Sequence, residues 1–137
     1  MSAGPAASYF AHYPTFTHNA TARLRAEFLR LAQTQHWSQN RTKTEWHLCL
    51  RMEFERAFGT DAHPDLGAWQ AMVAFCGFAD SEGLDSVKKC KQFLRANAFI
   101  NIVDMIDAKA AGQTPFNRRS LGALRKYSKR TGKDLPA

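Results

Sequence analysis

Apolar positions along this chain recur mostly at spacings of three and four, the period of helices that bury one face. Leu24, Phe28, Leu31 and Ala32 form the first such row. With Asn19 or Thr21 as N-cap, they predict a helix ending near Thr34, with Arg23, Glu27 and Arg30 on its other faces and Trp37 closing the corner. A second row, Trp46, Cys49, Leu50, Phe54, Ala57 and Phe58, predicts a helix from about Asn40 to Phe58 that stops at Gly59. Its opposite side carries Arg51, Glu53, Glu55 and Arg56, a mixed-sign face expected to meet water. The stretch "HPDLGAWQAMVAFCGF" opens a third helix at Asp65, after Pro64, and is apolar nearly all round through Trp69, Met72, Val73, Phe75 and Cys76. Such a pattern predicts enclosure on most sides, so this helix is expected to be the central packing element, ended by Gly77.

The stretch "SVKKCKQFLRANAFINIVDMIDA" predicts two helices. In the first, capped by Asp85 or Ser86, Val87, Cys90, Phe93 and Leu94 point inward, while Lys88, Lys91 and Arg95 fall at i, i+3 and i+7 as an outer stripe with Lys89 beside it. The second, Phe99 to Ala110, buries Phe99, Ile102, Val103 and Ile106, turns Asn101, Asp104 and Ala108 outward, and stops at Gly112. A last helix, Ser120 to Thr131, has only Leu121, Leu124 and Tyr127 to hold it down and is expected to be the weakest element. Ahead of all of these, "YFAHYPTF" gathers Tyr9, Phe10, Tyr13 and Phe16 around Pro14, which interrupts a helix. That segment reads as an aromatic strap on the helical body, because so many rings are costly to leave in water; the alternative is a linear motif for a partner's groove. The resulting expectation is all-α: a single-domain orthogonal bundle of about six helices with an aromatic N-terminal strap, spanning residues 9–131, with a flexible segment 1–8 and a basic flexible tail 132–137.

Composition agrees with one folded domain. A chain of 137 residues can bury roughly two-thirds of its unfolded surface, and 45% hydrophobic residues with 12% aromatics are too many for general disorder. Cys49, Cys76 and Cys90 are odd in number and set among apolar neighbours, the usage of reduced thiols, which predicts an intracellular location, nuclear or cytoplasmic. No signal-peptide pattern or membrane-length apolar run is legible, so secretion and membrane insertion are not expected.

Charge alters this picture by its position. Residues 1–116 carry 12 Lys and Arg against 11 Asp and Glu, whereas residues 117–137 carry Arg118, Arg119, Arg125, Lys126, Lys129, Arg130 and Lys133 against Asp134 alone. Arg125 with Lys129, and Lys126 with Arg130, are i, i+4 pairs on the last helix. Clustered cations bind polyphosphates because binding releases condensed counterions. These residues, with Lys88, Lys91 and Arg95, are therefore the candidate nucleic-acid-binding set, for RNA or DNA without sequence readout, since no helix-turn-helix, zinc-finger, RNP or KH signature is present. The same charge also suits a solvated basic face, or an adaptor that docks on an acidic protein through this helix or through the strap.

Other chemistry has less support. Asp104 and Asp107 lie at i and i+3 but have no further carboxylates around them, and a capping or solvated role is expected; Asn97 and Asn101 are expected to satisfy backbone groups at a helix junction. His12, His18, His36, His47 and His63 form no HxxxH pair, and His47 and Cys49 point to different sides of a helix. Nor does any Walker A, GxGxxG, GxSxG or HExxH motif occur, so neither catalysis, a metal nor a cofactor is expected. The anchors "EFLRLAQTQHW", "EFERAFG", "LGAWQAM", "CKQFLRANAFINIVDMIDA" and "YPTF" together resemble a group of small uncharacterised helical proteins of filamentous fungi, over about residues 9–128. These are packing residues, so the resemblance implies a shared helical fold and transfers no site.

Overall fold

Short polar side chains set most of the helix starts, each accepting a backbone N–H that the first turn leaves unpaired. Ser38 accepts from Arg41 N at 3.1 Å, Asp65 from Gly67 N at 3.1 Å, Ser86 from Lys89 N at 3.1 Å and Ser120 from Ala123 N at 3.2 Å. Asn101 accepts from both Val103 N and Asp104 N, at 2.9 and 3.2 Å. The computed structural model describes residues 8–19, 21–59 and 65–131. Six helices run through them: α1 (Leu24–Gln35), α2 (Gln39–Phe58), α3 (Leu66–Val73), α4 (Val87–Asn97), α5 (Ile102–Ala111) and α6 (Leu121–Thr131). A 3₁₀ turn, Tyr9–His12, precedes them, and no strand occurs among the described residues, so the fold is the all-α bundle that the periodicity predicts. The expected end segments, apart from Ser8, lie outside the described residues, as do His63 and Pro64.

α1 departs from its expected start. Asn19 does not cap it; its Oδ1 accepts from Thr21 N and Oγ1 in a local turn, at 3.1 and 2.7 Å. The helix begins at Leu24 instead, whose N–H donates to Asp107 Oδ1 of α5 at 2.9 Å, so the cap comes from 83 positions away in the chain. At its other end His36 takes a left-handed conformation, φ 55°, and lets Trp37 N reach Ala32 O at 3.2 Å, which is how Trp37 closes the corner.

Two clusters make up the core. The larger joins Tyr9 and Phe10 of the strap to Leu24, Phe28 and Leu31 of α1, Trp46, Cys49 and Leu50 of α2, and Val103 and Ile106 of α5. The second holds Met72 and Cys76 with Ile100 and Met105, flanked by Phe54, Phe58, Trp69 and Phe75. α2 and α5 reach both clusters, so they, rather than α3, are the central elements, which corrects the expectation drawn from α3's composition. Its enclosure is partial: Met72 and Val73 are buried, but Trp69 is half-buried and Gly67, Gln70 and Ala71 are exposed, so α3 contributes to the second cluster alone. α3 packs on α4 and widens into a π-helical turn over Ala74–Phe78 that breaks at Gly77, where φ is 100°. Only glycine adopts that angle without strain.

Buried and half-buried acids tie the strap down, a role that the expected solvent-facing side of α2 did not predict. Glu53 is 6% exposed; it accepts from Tyr9 N at 2.8 Å, Ser8 Oγ at 3.1 Å and Arg56 at 3.4 Å. Glu45 accepts from Tyr9 Oη at 2.6 Å and Tyr13 Oη at 3.3 Å. Burial and the acceptor Glu45 push the Tyr9 hydroxyl well above its ordinary range, so it stays a donor. Glu27, expected on an outer face of α1, is 3% exposed; it holds Arg30 Nη2 at 2.7 Å, Asn19 N, and His18 Nδ1 at 3.0 Å. Phe10 stacks on that same His18 ring, centroids 4.1 Å apart.

Candidate functional site

α6 sorts its side chains cleanly. Ala123, Leu124, Tyr127, Ser128 and Thr131 are half-buried, and Arg125, Lys126, Lys129 and Arg130 are exposed, so all four cations of the helix project from its solvent side. Leu121 is not the anchor it was expected to be, at 48% exposed. What holds α6 is polar and aromatic: Ser128 Oγ accepts from Asn101 Nδ2 at 2.9 Å, and the Arg118 guanidinium lies 3.8 Å above the Tyr127 ring. Arg130 approaches the same ring at 5.9 Å. Asn101 therefore serves two elements, capping α5 and tethering α6, and is buried rather than outward-facing as expected.

On α4 the expected inner residues Val87, Cys90, Phe93 and Leu94 are buried or half-buried, and Lys88, Lys91 and Arg95 are exposed. Lys89 pairs with Asp85 at 2.8 Å, and that contact holds the Asp85 carboxyl below its ordinary range. Lys91 sits over the Trp69 ring at 5.1 Å, a cation–π contact that leaves its charge in place. The acids Glu27 and Glu53 pair away from both basic helices, with His18, Arg30 and Arg56.

A hydrogen-bonded junction joins the end of α4 to the start of α6. Asn117 Nδ2 donates to Asn97 O at 2.9 Å, its Oδ1 accepts from Phe99 N at 2.7 Å, and Arg118 N donates to Phe99 O at 2.9 Å. Arg95, Arg118 and Arg119 all lie within a few residues of this junction, which brings the last turn of α4 and the entry to α6 together. Lys91 and Lys88 run away from it along α4, at about 1.5 Å of axial rise per residue. Lys133 lies outside the described residues.

Beside the junction a cleft of about 630 Å³ is lined by Arg23, Asp104, Asp107, Phe116, Arg118 and Tyr127, among others. Its two carboxylates have structural duties: Asp107 caps α1, and Asp104 stands in the first turn of α5, where the helix dipole favours a negative charge. Among the described residues no group of three His, Cys, Asp or Glu is arranged to hold a metal ion. Cys49, Cys76 and Cys90 are buried; burial raises the Cys49 thiol strongly and brings Cys76 up to about 11. No helix among the described residues is long and apolar enough to cross a membrane.

Sequence reasoning missed Phe116 and the ring contacts of Arg118, which sits between Phe116, at 4.4 Å, and Tyr127. The interleaving of "PFNRRS" with Tyr127, an aromatic on either side of a cation, was the available signal. Compared with protein-family models, curated proteins and solved structures, the chain finds no match.

Proposed function

We propose that this chain is a non-enzymatic helical protein that binds nucleic acid, without sequence specificity, through the cations of α6 and its entry segment, extended by Arg95, Lys91 and Lys88 of α4. The observation that carries the reading is the placement of Arg125, Lys126, Lys129 and Arg130 on the exposed side of a helix that contains no acidic residue. A row of cations with no acid between them suits a phosphate backbone, whose affinity grows with each counterion released. The weaker hold on α6 is consistent with a surface built for contact rather than for packing.

Fluorescence anisotropy with labelled single- and double-stranded oligonucleotides tests it. Replacing Arg125, Lys126, Lys129 and Arg130 together by Ala is expected to weaken binding and to flatten the slope of log affinity against log salt by roughly 3. Absence of binding at low salt, or an unchanged slope, removes the reading. Burial of Tyr9 and Phe10 in the core supports an intramolecular role for those two strap rings over docking on a partner. The basic-helix version of the adaptor alternative predicts partners that survive nuclease treatment in a pull-down.

A further inference from the structure

Phe116 is 68% exposed, the most exposed of the large hydrophobic residues described. A single surface hydrophobe is ordinary in itself. This one differs in how firmly it is presented. Pro115, immediately before it, is buried, and Asn117 and Arg118, immediately after it, are pinned to Asn97 and Phe99 by three hydrogen bonds of 2.7 to 2.9 Å. Its ring is backed by the Arg118 guanidinium at 4.4 Å, which is itself stacked on Tyr127 at 3.8 Å. The result is a ladder of ring, cation and ring whose outermost member faces water, at the entry to the basic helix.

Resting on the nucleic-acid reading above, we propose that the ligand is a single strand, and that Phe116 is the platform on which one unpaired base stacks. A duplex keeps the faces of its bases covered by their neighbours, so an exposed ring gains nothing from it; an unpaired base offers a free π face of any sequence. A ring held in place before binding loses little freedom when the base arrives, which favours a fixed aromatic over a mobile one. Arg118 is the positioning residue: its cation orients the ring and adds positive potential behind the stacked base. Asp104 and Asp107 share a cleft with Phe116 and oppose a phosphate within it, so the strand meets Phe116 from the water side and continues along the exposed cations of α6.

The test compares wild type, Phe116→Ala and Phe116→Tyr by anisotropy against a labelled oligothymidylate of about 15 nucleotides, an oligouridylate of equal length and a duplex of equal length. Phe116→Ala is expected to lose roughly tenfold or more on both single strands and to change duplex binding less than about twofold, with Phe116→Tyr close to wild type. The salt slope should stay the same in all three proteins, because no cation is removed. Equal losses on single strands and duplex, or none on either, overturn the stacking role while leaving the polyanion reading intact. Failure of the wild-type protein to bind any of the three at low salt overturns both. Since the ring is mostly in water, matching thermal melts of the three proteins are expected, and they exclude misfolding as the cause of a loss.

Discussion

Glu27 shows how a single buried charge can organise a segment. Its carboxylate gathers Arg30, the Asn19 amide and His18, and the Arg30 contact foremost lowers its pKa from the ordinary 4.5 to about 2, against the opposing effect of burial. A carboxyl whose folded pKa is depressed adds stability that is complete above its unfolded value and is lost as pH falls through the folded one. Thermal melts should therefore show stability declining between about pH 4.5 and pH 2. Glu27→Gln is expected to destabilise the protein by about 2 kcal/mol at neutral pH and to flatten that decline. An unchanged decline in the variant would assign the acid sensitivity to other groups. Spacing puts both glutamates on the buried faces, Glu27 with Leu24, Phe28 and Leu31 and Glu53 with Trp46, Cys49 and Leu50; only their charge argues for the outside. Their partners are backbone amides of the strap and its continuation, which only the tertiary fold brings near.

Among the helices and their joints, Asn101 has the widest reach. It closes the N-terminus of α5 and tethers α6 through Ser128. Asn101→Ala is expected to cost about 1–2 kcal/mol through the lost cap and to speed amide exchange in α6, whereas Ser128→Ala should speed exchange in α6 with little change in overall stability. Exchange in α6 that is unaffected by either would show that the Asn101–Ser128 tether does not hold it. The helix boundaries were legible at the local caps Asp65 and Ser86 and at the glycine stops Gly59 and Gly112. They were misplaced at α1, whose first amide is capped by Asp107, and at α5, where the chain from Ala98 to Asn101 stays out of the helix to meet Asn117. Ile102 was assigned inward by the same misplaced start and is 38% exposed.

Across the bundle, the number of helices and the aromatic strap follow from apolar spacing, but the centre of the packing does not. A count of apolar residues favoured α3, while the bulk of the buried rings comes from the strap, α1 and α2. The charge asymmetry is a property of the sequence alone, and the exposure of its members on α4 and α6 agrees with helical spacing. The junction of Asn97, Phe99, Asn117 and Arg118 and the exposed Phe116 could not have been drawn from spacing, because both depend on a loop with no period.

Whether a nucleic acid meets α6 and its entry segment can be read residue by residue from amide chemical shifts of the full chain titrated with a single-stranded oligonucleotide. The shifts are expected to concentrate at 116–130 and at Arg95, and to fade as salt is raised. Shifts centred on the strap and α1 instead, or none at low salt, would contradict the proposed surface.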